Sequence, residues 1–243
     1  MLSAKKMSLT CIIIGILSPQ VIAVEAKEKL DDDPTNVVTQ LGVSYTDEAK
    51  VSGSLSLDPV RKINASINKD ASEWRLGGSW LFDFGIVNFN FSRSEYDESA
   101  HQNRYSIGTF LPLSVFGFEP GGWQIFPMAG FSYNEGEIAC DQQHSDCEKD
   151  IDPTFSSDFV LIPSTSTGGY LGAFALKPLT DKWTLIAFGA GSLGSDDYSG
   201  YSLGGGTGFK IDHHQSVSAY AYLTDNSYGD DQQLGIQYRY KFD

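Results

Sequence analysis

From Gln232 to Phe242 apolar and polar side chains alternate almost without a break. Leu234, Ile236, Tyr238, Tyr240 and Phe242 share one parity, and Gly235, Gln237, Arg239 and Lys241 share the other. Successive Cβ atoms of a strand point to opposite faces, so this stretch is one strand with an apolar, aromatic-ended side and a hydrated, cationic side. A chain that must satisfy this strand has to offer apolar surroundings on one side and water on the other.

The N-terminus carries a different signal. Lys5 and Lys6 precede an apolar run from Met7 to Leu17, then Ser18, Pro19 and a small-residue site at Val21-Ile22-Ala23. This is the three-part layout of a secretory signal peptide, predicted for residues 1–23, with Val24-Glu25-Ala26 as a second cleavage site. The apolar run is shorter than the roughly 20 residues that cross a bilayer as a helix, and no later run is longer or more apolar. Cys11 falls inside the segment that cleavage discards. The formal net charge is −14, and removing Lys5 and Lys6 makes the remainder more acidic still. That balance opposes nucleic-acid binding and suits a surface exposed to divalent cations, or serves solubility alone. Aromatics make up 13% of the chain, there are 25 glycines, and no run shows a 3.6-residue apolar period, which together predict an all-β fold.

After a charged tail at residues 24–36, residues 37–243 read as about twelve strands, or ten if two short ones near the start are misread. The predicted spans are 37–46, 51–57, 63–68, 73–82, 86–94, 104–111, 123–133, 165–176, 183–193, 200–211, 215–224 and 232–242. Val87, Phe89 and Phe91 oppose Asn88, Asn90 and Ser92, and Asp83-Phe84-Gly85 makes a tight turn before them. Lengths near ten residues suit tilted membrane strands.

The closing strand, with Tyr238, Tyr240 and Phe242 on one face, resembles the targeting strand of Gram-negative outer-membrane β-barrel proteins of the porin-like kind. Asp243 departs from that pattern by following the aromatic that would come last. The resemblance implies an antiparallel up-and-down transmembrane barrel in the cell outer membrane. It also implies recognition by the barrel-assembly machinery, contact with outer-membrane lipids and lipopolysaccharide, and a monomer. Connections at 58–62, 83–85, 112–122, 177–182 and 212–214 would then be periplasmic, and 95–103, 134–164, 194–199 and 225–231 would be longer, acidic outer loops. Trp80, Trp123, Trp183 and Phe242 fall at periplasmic strand ends, and Tyr45, Trp74, Phe91, Tyr105, Tyr133 and Tyr201 at outer ends, predicting two aromatic girdles.

Chemistry is sparse. Gly189-Ala190-Gly191-Ser192-Leu193-Gly194 matches the dinucleotide fingerprint, but Ser195-Asp196-Asp197-Tyr198-Ser199 and another glycine-rich strand follow where a helix is required. These glycines and Gly204, Gly205, Gly206 and Gly208 instead read as close packing between strands, leaving volume in the lumen opposite Tyr201, Leu203 and Phe209. His213 and His214 sit in a predicted periplasmic turn, although Ser216 is close in sequence, and His101 and His144 lie on outer loops with no serine or acidic partner at a defensible spacing, so no catalytic residue and no cofactor are expected. Cys140 and Cys147, both in the predicted 134–164 loop, suit a local disulfide worth about 2.5 kcal/mol in an oxidising compartment. The alternative is metal binding, with Asp146, Glu148, Asp150 and Asp152 as oxygen ligands for loop-bound Ca²⁺ or Mg²⁺, although such a charge run is ordinarily a solvated loop.

Glu73, Arg75, Arg104, Lys210, Arg239 and Lys241 share the polar face, where charge is costly unless paired or hydrated. They are the candidate lumen-lining residues. Arg93 shares parity with Phe89 and Phe91 at an outer strand end, suggesting lipopolysaccharide phosphate contact or snorkelling. The expected function is a narrow passive channel for small hydrophilic solutes. A plugged structural or surface-interaction barrel presenting acidic loops is the alternative, and a lipid-modifying enzyme a third reading.

Overall fold

A computed structural model of the chain describes residues 29–141 and 159–243. Twelve antiparallel strands follow in order: β1 Gln40–Tyr45, β2 Ala49–Ser56, β3 Arg61–Asn68, β4 Trp74–Phe82, β5 Gly85–Glu95, β6 His101–Phe110, β7 Gln124–Asp141, β8 Phe159–Pro178, β9 Trp183–Gly194, β10 Ser199–Lys210, β11 Gln215–Asn226 and β12 Gly229–Lys241. Each pairs with its neighbours in sequence, and β1 pairs with β12, from Gln40 opposite Lys241 to Tyr45 opposite Ile236, to close the barrel.

The polarity of this barrel is the reverse of a soluble protein's. Leu234, Phe131 and Leu193 are 78%, 73% and 73% exposed, and they point outward with Leu41, Val43, Leu76, Phe89 and Ile107. Ser44, Ser79, Ser132, Asn134, Ser166, Ser216 and Ser218 are buried on the inner face. In water the exposed apolar belt would be strongly unfavourable, and in lipid it is the required surface. A closed sheet also leaves no unpaired edge within the apolar layer. Aromatics gather at the two rims. At one, Trp74 packs edge-on against Phe91 at 4.7 Å, Phe91 stacks on Tyr105 at 4.5 Å, and Tyr105 meets Tyr133 at 6.0 Å. At the other, which carries both ends of the barrel chain, Trp80, Phe82 and Phe84 stack in series and Trp183 packs on Phe209. We call these the far rim and the terminal rim. The chain is a transmembrane β-barrel, the class that occupies the outer membrane.

Several connections differ from expectation. The segment 134–164 is largely strand: β7 and β8 continue as a ribbon from Asn134 opposite Ser166 to Asp141 opposite Phe159. Beyond the bilayer both faces of a ribbon are solvated, so pairing persists without the alternation that marks a strand inside it. The expected loop 225–231 contracts to Ser227 and Tyr228 between Asn226 and Gly229 for the same reason. Far-rim connections are therefore short among the described residues. The connection after β6 holds two 3-10 turns, Leu113–Phe116 and Pro120–Gly122, which account for its length at the terminal rim.

The terminal-rim turns lean on carboxylates. The Arg61 guanidinium and the backbone N–H of Val60 hold the Asp58 carboxyl below its usual range, and backbone N–H donors from His214 and Gln215 do the same for Asp212. A depressed folded-state value means that each contribution is present above the unfolded value of about 3.9 and lost as pH falls through the folded one. Acidification from pH 6 to pH 3 is expected to lower the amide protection factors of Arg61 and Gln215, once the pH dependence of intrinsic exchange is divided out, while mid-strand protection factors hold, as hydrogen-exchange NMR would register.

The inner wall is not empty. Ile86, Phe126 and Leu176 are fully buried on lumen-facing positions near the terminal rim, and Phe126 approaches Phe174 at 6.2 Å. Tyr170 lies over Gly108 and Gly130, and a Cβ at either glycine would collide with its ring and with strand backbone. The glycines Gly204, Gly206 and Gly208 likewise do not leave open volume, contrary to expectation. Phe188 and Tyr222 crowd the first, Tyr220 and strand backbone the second, and Asp32 the third. Gly130→Ala is expected to destabilise the barrel by about 1–3 kcal/mol through overpacking beneath Tyr170. Gly169→Ala, facing outward at 3.4 Å from the nearest backbone oxygen, should cost far less. Urea unfolding in lipid vesicles would compare the two.

Candidate functional site in the barrel lumen

The six charged positions read from the sequence all keep lumen parity, but they separate into two groups. Glu73, Arg75 and Arg104 line a cavity of about 950 Å³ that opens at the far rim. Lys210, Arg239 and Lys241 lie near the terminal rim, against a segment of chain that enters the barrel.

That segment is residues 29–39, part of which was expected to be a periplasmic tail. It folds on itself first. Asp33 accepts hydrogen bonds from the Thr35 N–H and hydroxyl, both 2.7 Å, in a turn at Pro34. Lys29 Nζ donates to Thr35 Oγ1 at 2.9 Å, and Asn36 Nδ2 to the Leu30 carbonyl at 2.7 Å. The inner wall then holds this knot from several sides. The Arg239 guanidinium pairs with Asp32 and also donates to Ser218 Oγ at 3.1 Å. Lys62 donates to the Asn36 carbonyl, and Ser54 Oγ to the Val38 carbonyl at 2.6 Å. Thr35 ends 2% exposed. Because Arg239 and Lys62 are on β12 and β3, and Asp32 reaches Gly208 on β10, the segment crosses the mouth rather than lining one wall. It leaves cavities of about 520 and 670 Å³ on either side.

The far rim is partly bridged as well. Tyr96 Oη donates to Gln102 Oε1 at 3.1 Å and accepts from Asn226 Nδ2 at 3.0 Å, joining the β5–β6 connection to β11 across the opening. Gln102 continues to Asn134 Oδ1 at 2.9 Å, and Asn134 Nδ2 to Ser166 Oγ at 3.0 Å. Tyr228 Oη donates to the Ser164 carbonyl at 3.1 Å, and Tyr198 lies 6.1 Å from Tyr228. Burial pushes the Tyr96 and Tyr228 hydroxyls above the ordinary tyrosine range, keeping both neutral donors. These residues cover the β6–β10 side, and the large cavity opens beside them.

Within that cavity Lys50 pairs with Glu73, and the Gln233 amide donates to Asp231 at 2.7 Å. Lys50, Tyr170, Tyr222 and Asp231 were missed from sequence, although Lys50 continues the parity of Ser52, Ser54 and Ser56. Asp32 and Lys62 were missed at the terminal mouth. Arg93 pairs with Glu95 at 3.1 Å, which spends its charge within the rim. Contrary to expectation an acidic partner stands beside His101, because β7 continues past the bilayer and sets Glu137 opposite it, 3.7 Å from its Nδ1; His214 Nδ1 lies 3.2 Å from the Lys241 carbonyl. Tyr238, Tyr240 and Phe242 hold the outer face of β12 and the end of the chain. Cys147, His144, Asp146, Glu148, Asp150 and Asp152 lie outside the described residues, and the side chain of Cys140 is not described, so the expected disulfide and metal ligands fall there too.

No protein-family model and no curated protein matches the chain. Solved structures similar in outline include the translocator domain of the autotransporter NalP from Neisseria meningitidis, 13% identical with a TM-score of 0.48, covering 84% of this chain and 86% of that one. The NanC porin is 7% identical with a TM-score of 0.47, covering 84% and 99%. An outer membrane channel from Pseudomonas putida F1 is 9% identical with a TM-score of 0.45, covering 88% and 100%.

Replacing Asp32 with Asn removes the anionic partner of Arg239 without changing side-chain size. Residues 29–39 are expected to exchange their amides roughly tenfold faster while β1 to β12 keep their protection, a local opening that hydrogen-exchange mass spectrometry resolves.

Proposed function

We propose that the barrel is a narrow passive channel for small hydrophilic solutes, with the far rim outside the cell and the terminal rim in the periplasm. The carrying observation is the cavity of about 950 Å³ whose wall is built mostly from Ser, Asn, Gln and charged side chains, with aromatic residues such as Phe188 and Tyr222 among them. An even strand count returns both ends of the barrel to the periplasmic side, which matches export through the inner membrane ahead of assembly. Size leaves the width open, since twelve strands lie between filled eight-stranded barrels and wide sixteen-stranded porins.

A second reading is favoured by residues 29–39 in the mouth: the same barrel as a closed structural element. A conduit is preferred because the segment divides the mouth without filling it, with cavities on both flanks. It acts as a constriction.

Single-channel recording in planar bilayers tests this, comparing the whole chain with a variant whose residues 29–36 are replaced by a Gly-Ser linker. Small discrete steps that enlarge severalfold in the variant are expected. A silent whole chain with a conducting variant would establish the plugged barrel, and silence from both, with heat-modifiable mobility proving folding, would overturn the channel.

A further inference from the structure

The strand register places Ser66, Arg75, Ser92, Arg104 and Asn134 side by side on β3 to β7, all facing the lumen. With neighbouring strands about 4.8 Å apart, the Cα atoms of Arg75 and Arg104 are roughly 10 Å apart with Ser92 between them. Two guanidiniums in the same inward row, two strands apart, repel each other. Such a pair ordinarily recruits a carboxylate. Here, among the described residues, neither forms an ion pair: Glu73 is engaged by Lys50, and Asp231 by the Gln233 amide. Arg104 rests over the Tyr170 ring at 5.4 Å, which positions the group and leaves its N–H edge available. Arg75 is exposed on the cavity wall.

The remaining acids of the cavity, Asp47, Glu48, Glu95, Asp97 and Asp230, belong to the turns and strand ends of the far rim. Charge is therefore layered: acidic at the entrance, cationic deeper in. Among the described residues these deep donors have no side-chain acceptor, and a guanidinium fork is matched to a planar or tetrahedral oxyanion by geometry as well as charge. Ser92 adds a hydroxyl between the two forks.

We infer that Arg75, Ser92 and Arg104 form a binding site for a small oxyanion, a carboxylate or a phosphate, inside the lumen. In the channel reading, on which only the permeation half of this inference rests, the site makes passage selective for small organic acids or phosphate. Like charges that cost stability in the empty lumen are offset when an anion bridges them.

Binding is measured without conduction, by titrating inorganic phosphate and, separately, succinate into the folded barrel in detergent by calorimetry. Saturable binding of at least one is expected, weakened roughly tenfold in the double variant Arg75→Gln/Arg104→Gln. Preference between the two ligands identifies which oxyanion the site takes. The variant Arg75→Lys/Arg104→Lys keeps the charge without the forks. It should fall between the other two, and it tests the site if the glutamine pair fails to fold. Reversal potentials in a KCl gradient supply the permeation half: chloride preference in the whole chain, reduced in the glutamine pair. No binding of either ligand to the folded barrel, or binding equal in all three proteins, overturns the site. Binding with no conductance retains the site and overturns the channel.

Discussion

In lipid a backbone N–H or C=O has no water to fall back on, so every strand in the apolar layer needs a partner on both sides. The pairing of β1 with β12 meets that demand at the last open position, and everything else follows from it. Once the sheet is closed it has an outside and an inside of opposite polarity, and the period-two alternation assigns each residue to one of them. Leu234 and Ile236 face lipid for the same reason that Gln237 and Arg239 face the lumen. The lumen in turn inherits charges that no soluble core would tolerate, and it must pair or hydrate them.

How the lumen does so gives the molecule its asymmetry. On the β6 to β10 side, aromatic rings occupy space released by glycines, as with Tyr170 over Gly108 and Gly130. Toward the far rim, serines, asparagines and charged groups, most of them on β1 to β6, β11 and β12, line an open cavity. A twelve-stranded barrel is too wide to fill with side chains alone and too narrow to be a broad pore. This one resolves the difference by lining part of its section with rings and narrowing the terminal-rim mouth with its own backbone.

The parts legible in the sequence are those set by local alternation within the bilayer. The strand at Gln232 to Phe242, the twelve-strand count and the inward parity of Glu73, Arg75, Arg104, Lys210, Arg239 and Lys241 all rest on that rule. Where the rule lapses, legibility lapses too. Glu135 and Glu137 read as loop residues because a ribbon in water needs no apolar face, yet they pair with Thr165 and Pro163. The glycines at 204, 206 and 208 read as open lumen because their occupants, Phe188, Tyr220, Tyr222 and Asp32, come from elsewhere in the chain. The entry of residues 29–39 depends on Asp32 meeting Arg239, a contact 207 residues apart in sequence, and no spacing near Asp32 announces it.

That contact also orders events in time. Asp32 belongs to the first described residues to emerge, and Arg239 to the last strand of the chain. The latch across the mouth therefore cannot form until β12 has been made and has taken its place beside β1. An unfinished sheet has an unguarded interior, and only a completed barrel can hold this segment across its mouth, so the clasp doubles as a mark that assembly has ended.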